Sequence, residues 1–224
     1  MTPQEYAKSI VTISKEGLAA LPAAEYKGNI HVVDTPEKLA EALSQIKKAG
    51  ILGFDTETRP SFRRGVVHKV ALIQLSTEDS CYLFRTNKIG FPDELLKILE
   101  NPDIQKIGLS IHDDFHNLRR NHEIEPQGFV DLQNLVKEFK IADISLSKIY
   151  GILFDERISK TQRLSNWEAS ELTPAQQAYA ALDAYACVRI YEYLKSGEFN
   201  PANSKYLTLP PEPSPIEDSE HSED

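Results

Sequence analysis

Apolar and polar positions change their period several times along the chain, and each change marks an element. Apolar residues run together over strand-sized lengths at Ile51–Glu57, Val66–Leu75 and Cys81–Arg85, and more briefly at Asn29–Val33. Between the first two of these in chain order, Leu39, Leu43 and Ile46 recur at helical spacing. Asp34 or Thr35 can cap that helix, Pro36 suits its first turn, and Gly50 ends it. After Arg85 the pattern alternates: a helix over Pro92–Glu100, a strand over Lys106–Leu109, a helix from Ile111 to Arg120 and a short strand over Phe129–Leu132. The remainder to residue 197 reads as mostly helical. The last helix, Pro174–Lys195, has Thr173 and Gln176 at capping-box spacing, and Gly197 as its stop.

A strand meander followed by strands alternating with helices predicts an α/β fold, a mixed sheet flanked by helices. The spacing of Tyr6, Ile10 and Ile13, with Thr2 as cap and Pro3 in the first turn, predicts a helical extension over residues 1–28. Residues 29–200 form the expected domain. Residues 201–224 read as a disordered, acidic, proline-rich tail, because PPEPSPIEDSEHSED offers too little apolar surface to offset the entropy of ordering.

Composition narrows the function classes. Among 224 residues, 41% hydrophobic and 26% charged, no apolar run reaches the roughly 18 to 20 residues of a membrane span. The N-terminus lacks a basic region followed by an apolar one, and Cys81 and Cys187 are too few for a disulfide framework or a cysteine zinc site. An intracellular, cytoplasmic protein is the expectation. Of the net charge of −9, six acids fall in Leu207–Asp224 without a lysine or arginine, which leaves −3 for everything before it. That balance argues against a general nucleic-acid coat, but not against an enzyme that holds nucleic acid through metal ions and a local basic patch.

Three places carry candidate chemistry. In ILGFDTET a buried strand ends in two acids, and alternation puts Asp55 and Glu57 on one face with Thr56 on the other. Two carboxylates projecting together make a hard-oxygen site suited to Mg²⁺ or Mn²⁺; the other reading is an exposed strand end that happens to be acidic. In KIGLSIHDDFHNL a strand turns into a helix at Gly108–Ser110, where Ser110 and Asp113 can cap and Asp114 lies in the first turn beside the strand end. His112 and His116 have a zinc-compatible spacing, yet without a third imidazole or a cysteine pair they read as solvated helix histidines. In QQAYAALDAYACVRIYEYL, Tyr179 and Asp183 stack one turn apart on one helix face, separated by small alanines; the other reading is an ordinary amphipathic helix with a surface aspartate.

The order D-x-E at a strand end, G-x-x-x-x-x-D-x-x-x-L at a strand-to-helix turn and Y-x-x-x-D on a late helix resembles the DEDDy group of 3′–5′ exonucleases. The segments KVALIQLSTEDSCYLF, ILENPDIQKIGLSIHDD, FVDLQNL and RLSNWEASELTPAQQAYAALDAYA extend the likeness to Werner-type exonuclease domains and, more distantly, to ribonuclease D, over about Gly28 to Lys195. Ser110 departs from the glycine expected there. The resemblance implies an RNase H-like fold and two-metal hydrolysis at nucleic-acid 3′ ends, with DNA slightly favoured over RNA and nucleoside 5′-monophosphates as products. Two divalent ions, Mg²⁺ or Mn²⁺, would offset the four acids: Asp55, Glu57 and Asp183 around one, Asp55 and Asp114 around the other. Tyr179 is then expected to orient the attacking water. A catalytically silent binding module would be marked by loss of an acid or of Tyr179, and all five residues are present.

Substrate contacts are expected from Phe62, Arg63, Arg64 and Lys69, in an acid-free basic island from Arg59 to Lys69 whose other reading is a solvated hairpin, and from Lys160 and Arg163 ahead of the last helix. Phe62 can stack on a terminal base or simply pack. Trp167, Cys81 and Cys187 read as parts of the core.

Overall fold

A computed structural model describes residues 1–210. Its frame is a six-stranded mixed sheet built from β2 (Asn29–Val33), β3 (Ile51–Thr58), β4 (Val70–Ser76), β5 (Ser80–Phe84), β6 (Gln105–Gly108) and β7 (Phe129–Asp131), in the order β2-β5-β4-β3-β6-β7. The β3–β4 and β4–β5 pairs are antiparallel, and β2–β5, β3–β6 and β6–β7 are parallel. This is the α/β, RNase H-like arrangement, with β3 central and covered on both sides.

Alternation along β3 decides what each face does. Leu52 and Phe54 point to one side, where α3 (Pro36–Ile46), α5 (Asp93–Leu99) and α6 (Ile111–Arg119) pack Leu43, Ile46, Leu95 and Leu118 against them. Gly53, Asp55 and Glu57 point to the other side, toward α9 (Pro174–Ser196). That helix is anchored as its sequence predicts: Thr173 Oγ1 accepts from the Gln176 amide at 3.2 Å, Gln176 Oε1 accepts from the Thr173 amide at 3.0 Å, and Gly197 closes it in the left-handed region. A Cβ on Gly53 would stand 1.9 Å from the Ala184 carbonyl oxygen, so only glycine lets α9 approach β3 this closely. Ala180, Ala181 and Ala184 continue the seam against Ala71 and Leu72, all buried. Small residues at this contact bring the next polar residue of the helix, Asp183, onto the acids of the strand.

Several expectations need correction. Residues 1–28 are not one helical extension but α1 (Pro3–Lys8), β1 (Ile10–Val11) and α2 (Lys15–Ala19). Ser9 leaves the helix in an extended conformation, and the β-branched run from Ile10 to Ile13 pairs instead: Val11 bridges Ile141, and β1 lies antiparallel to β8 (Leu207–Thr208). Val11 and Ile13 are buried in the same cluster as Ile190 and Leu194, so the segment is part of the body. The expected tail likewise starts too early, because Tyr206 accepts a backbone hydrogen bond from Thr12 and packs on that cluster; residues 211–224 lie outside the described residues. The strand expected to start at Val66 starts at Val70, where the β3–β4 ladder ends at the Thr58–Val70 pair and the preceding residues have no strand to bond. Two short helices, α4 (Thr86–Ile89) and α7 (Leu132–Leu135), complete the frame together with α8 (Leu146–Phe154).

Candidate active site

The end of β3 delivers Asp55 and Glu57 to a cleft of about 310 Å³, and α9 delivers Tyr179 and Asp183 to the same cleft. One carboxylate oxygen each from Asp55, Glu57 and Asp183 lies within 4.8 Å of the others. Glu57 and Asp183 are buried and Asp55 half-buried. Three carboxylates so close are held apart in energy by their surroundings. Burial, then the charge of Asp183, raises the Asp55 carboxyl well above the usual carboxylate range. Glu57 is pushed up to about 10 by burial and the neighbouring Asp55, Asp183 and Asp114 charges. Burial raises Asp183 to about 7, while contact with the Tyr179 hydroxyl and the charge of Lys160 pull it down.

Asp114, on α6, stands beside the site but belongs neither to the cleft lining nor to the group of three converging oxygens. Burial and the charge of Asp55 raise it to about 8. Its carboxylate accepts a short hydrogen bond from the Thr56 hydroxyl, which projects from the opposite face of β3 to the two acids. Thr56 is a residue the sequence reading left without a role: it ties the helix acid to the strand acids across 58 positions. Asp131 is another. Ser110 and Asp113 were expected to cap α6, yet Ser110 makes no side-chain cap and sits at φ 60°, the left-handed region that favours glycine. The cap comes from the end of β7, where the Asp131 carboxylate accepts from the Ser110 and Ile111 amides, each at 3.2 Å. The signal, an acid closing a strand parallel to β6, is visible in sequence only once the strand order is known.

The remaining expected residues divide. Lys160 and Arg163 line the cleft, and their charges act on Asp183 and Glu57 respectively. Phe62, Arg63 and Arg64 are exposed on the connection between β3 and β4 and are not among the residues lining the cleft, and Lys69 lines a separate hollow with His68 and His122. Tyr179 is raised far above its ordinary value by burial and by the Asp183, Glu57 and Asp55 charges, and its ring lies 6.1 Å from that of the wholly buried Trp167. Cys187 also lines the cleft, but burial keeps its thiol protonated. His112 is exposed and His116 contacts Arg120, so neither histidine joins the acids.

Three carboxylate oxygens from Asp55, Glu57 and Asp183, with no nitrogen or sulfur among them, fit a hard divalent cation. Residues 30–197 match a family model described as 3′-5′ exonuclease. The chain belongs to the 3′-5′ exonuclease family. It is 34% identical over 184 residues to the mouse bifunctional 3′-5′ exonuclease/ATP-dependent helicase WRN, covering 78% of this chain and 13% of that protein. It is 30% identical over 190 residues to an Arabidopsis thaliana 3′-5′ exonuclease, covering 78% of this chain and 66% of that one. The chain therefore spans between an eighth and two thirds of these relatives' lengths. Among solved structures, the Aedes aegypti Nibbler EXO domain superposes with a TM-score of 0.70 at 23% identity, covering 80% of this chain and 96% of that one. Escherichia coli RNase D superposes with a TM-score of 0.67 at 22% identity, covering 75% and 44%. At those identities the superpositions show a shared fold, and family membership rests on the sequence match.

Proposed function

We propose that this 3′-5′ exonuclease domain hydrolyses the terminal phosphodiester bond at a single-stranded or frayed 3′ end, releasing nucleoside 5′-monophosphates, with two divalent ions, Mg²⁺ or Mn²⁺, as cofactors. The observation that carries this reading is the convergence of Asp55, Glu57 and Asp183 within 4.8 Å, in a cleft also lined by Lys160 and Arg163. Asp55, Glu57 and Asp183 would hold one ion, and Asp55 with Asp114 the second. Bound there, the ions supply an activated water at neutral pH and offset charge on the leaving 3′ oxygen. The chain's own residues do the rest. Tyr179, whose phenol stays protonated, is a hydrogen-bond donor and orienter rather than a base. Thr56 holds the Asp114 carboxylate in place. Lys160 and Arg163 offer cations to the phosphate about to be cut.

DNA is the favoured substrate, on the resemblance of the segments around all three acid motifs to Werner-type domains. RNA is the second reading, supported by the fold shared with a Trypanosoma brucei RNase D solved as a complex with RNA U12, with a TM-score of 0.64 at 22% identity. Matched 5′-labelled DNA and RNA oligonucleotides, incubated with Mg²⁺, Mn²⁺ or EDTA, separate these. A ladder shortening from the 3′ end, lost in EDTA, is expected, with DNA degraded faster. Cleavage that survives EDTA contradicts the metal mechanism, and faster loss of RNA reverses the substrate preference.

A further inference from the structure

The β3–β4 connection leaves the cleft at Glu57 and returns at Val70 as an arm with no acid in it. Its tip holds Phe62, 86% exposed, followed by Arg63 and Arg64, and Gly65 turns it back at φ 81°. Within the tip the chain is held by Ser61 Oγ, which donates to the Arg63 carbonyl and accepts from the Arg63 amide, and by the Val66 amide on that same carbonyl. At the neck both ends of the arm meet one carboxylate. Arg59 Nη1 donates to Glu168 Oε2 at 3.2 Å, and His68 Nδ1 lies 3.2 Å from Glu168 Oε1. Glu168 uses both its oxygens to span nine positions of the arm.

Glu168 is itself fixed to the body. Trp167, immediately before it, is wholly buried and packs against Tyr179; Ala169 and Ser170, immediately after it, give their carbonyls to the guanidinium of the buried Arg85. The same segment carries Lys160 and Arg163 into the cleft. One acid thus ties a cationic, aromatic-tipped arm to the wall that holds the catalytic tyrosine. An exposed ion pair adds little to stability on its own. Closing the neck of a loop has a different consequence: it removes most of the positions open to an arm that continues directly from the strand carrying Asp55 and Glu57.

We propose that Glu168 is a positioning residue: by clasping Arg59 and His68 it holds the arm of residues 60–67 where Phe62, Arg63 and Arg64 engage the nucleotides upstream of the scissile bond. This rests on the exonuclease reading and adds that the domain grips a strand, not only a terminal nucleotide.

Glu168→Gln tests it, because the amide keeps the size of the side chain while losing its charge. With a single-stranded 12-mer the variant is expected to raise KM about fivefold with kcat within twofold of the parent. With a dinucleotide, which offers no upstream strand, both constants stay within twofold of the parent. Initial trypsin cleavage after Arg63 and Arg64, a readout that needs no substrate, is expected to speed up about fivefold. Arg59→Glu with Glu168→Arg, which restores the pair in reverse, should recover most of the KM. The clasp is overturned if E168Q leaves the 12-mer KM and the trypsin rate unchanged, or if it lowers kcat equally on both substrates, which would place Glu168 at the chemical step. If the parent protein cleaves neither substrate, the exonuclease reading falls and the clasp with it; a cleaving parent with an unaffected variant sinks the clasp alone.

Discussion

Asp183→Asn is expected to reduce 3′-end cleavage by at least about a thousandfold while leaving the fold intact. Asp183 is buried, lies within 4.8 Å of the Asp55 and Glu57 oxygens, and faces Tyr179 and Lys160. The amide keeps the volume and removes the charge, so a cation loses one of three anionic donors and Tyr179 loses its charged neighbour one turn on. Cleavage of a 5′-labelled oligonucleotide in Mg²⁺, with circular dichroism to establish folding, measures it. Asp55→Asn should behave alike, since Asp55 belongs to the three-acid group and its charge also acts on Asp114. Activity within tenfold of the parent for either folded variant would remove these carboxylates from the mechanism.

The same crowding makes a prediction about stability, with a sign opposite to that of most acidic side chains. A carboxyl whose pKa is raised on folding stabilises the native state at low pH, and that contribution is lost as pH rises through the folded value. Here the ordinary values are 3.8 for aspartate and 4.5 for glutamate, and folding raises Asp183 to about 7, Asp114 to about 8 and Glu57 to about 10. The window therefore opens just above pH 4 and extends past pH 9. In EDTA the melting temperature is expected to fall by about 10 °C between pH 5 and pH 9, the equivalent of roughly 3 kcal/mol in a domain of this size. Mn²⁺ should reverse the loss, most strongly at the upper end, because the ions bind the deprotonated ligands. Asp183→Asn should flatten the slope and melt higher than the parent in EDTA at pH 9. A melting temperature that is flat or rising over this range, with or without metal, contradicts the clustering.

How much of this was legible in the chain depends on how local the cause is. The capping box at Thr173 and Gln176, the apolar run ending in Asp55 and Glu57, and the one-turn spacing of Tyr179 and Asp183 are all written within a few residues, and each element forms where that pattern puts it. The close seam of Gly53 on Ala184, by contrast, joins residues 131 positions apart, and nothing local marks Gly53 as more than a small strand residue. Residues 1–28 show a local signal overruled: helical spacing of Tyr6, Ile10 and Ile13 gave way because a β-branched run found strand partners at Ile141 and Leu207. Thr56, Asp131 and Glu168 act through partners 58, 20 and 109 positions away, so their parts became visible only with the sheet order and the packing of α6 and α9.

The central claim is that acids from β3, α6 and α9 surround divalent ions, and a crystal soaked in Mn²⁺ with a nucleoside 5′-monophosphate tests it most directly. Anomalous scattering is expected to show one ion bound by Asp55, Glu57 and Asp183 and a second between Asp55 and Asp114, with the phosphate of the nucleotide beside them. A difference map with no anomalous peak among these side chains, or a peak held elsewhere on the protein, would contradict it.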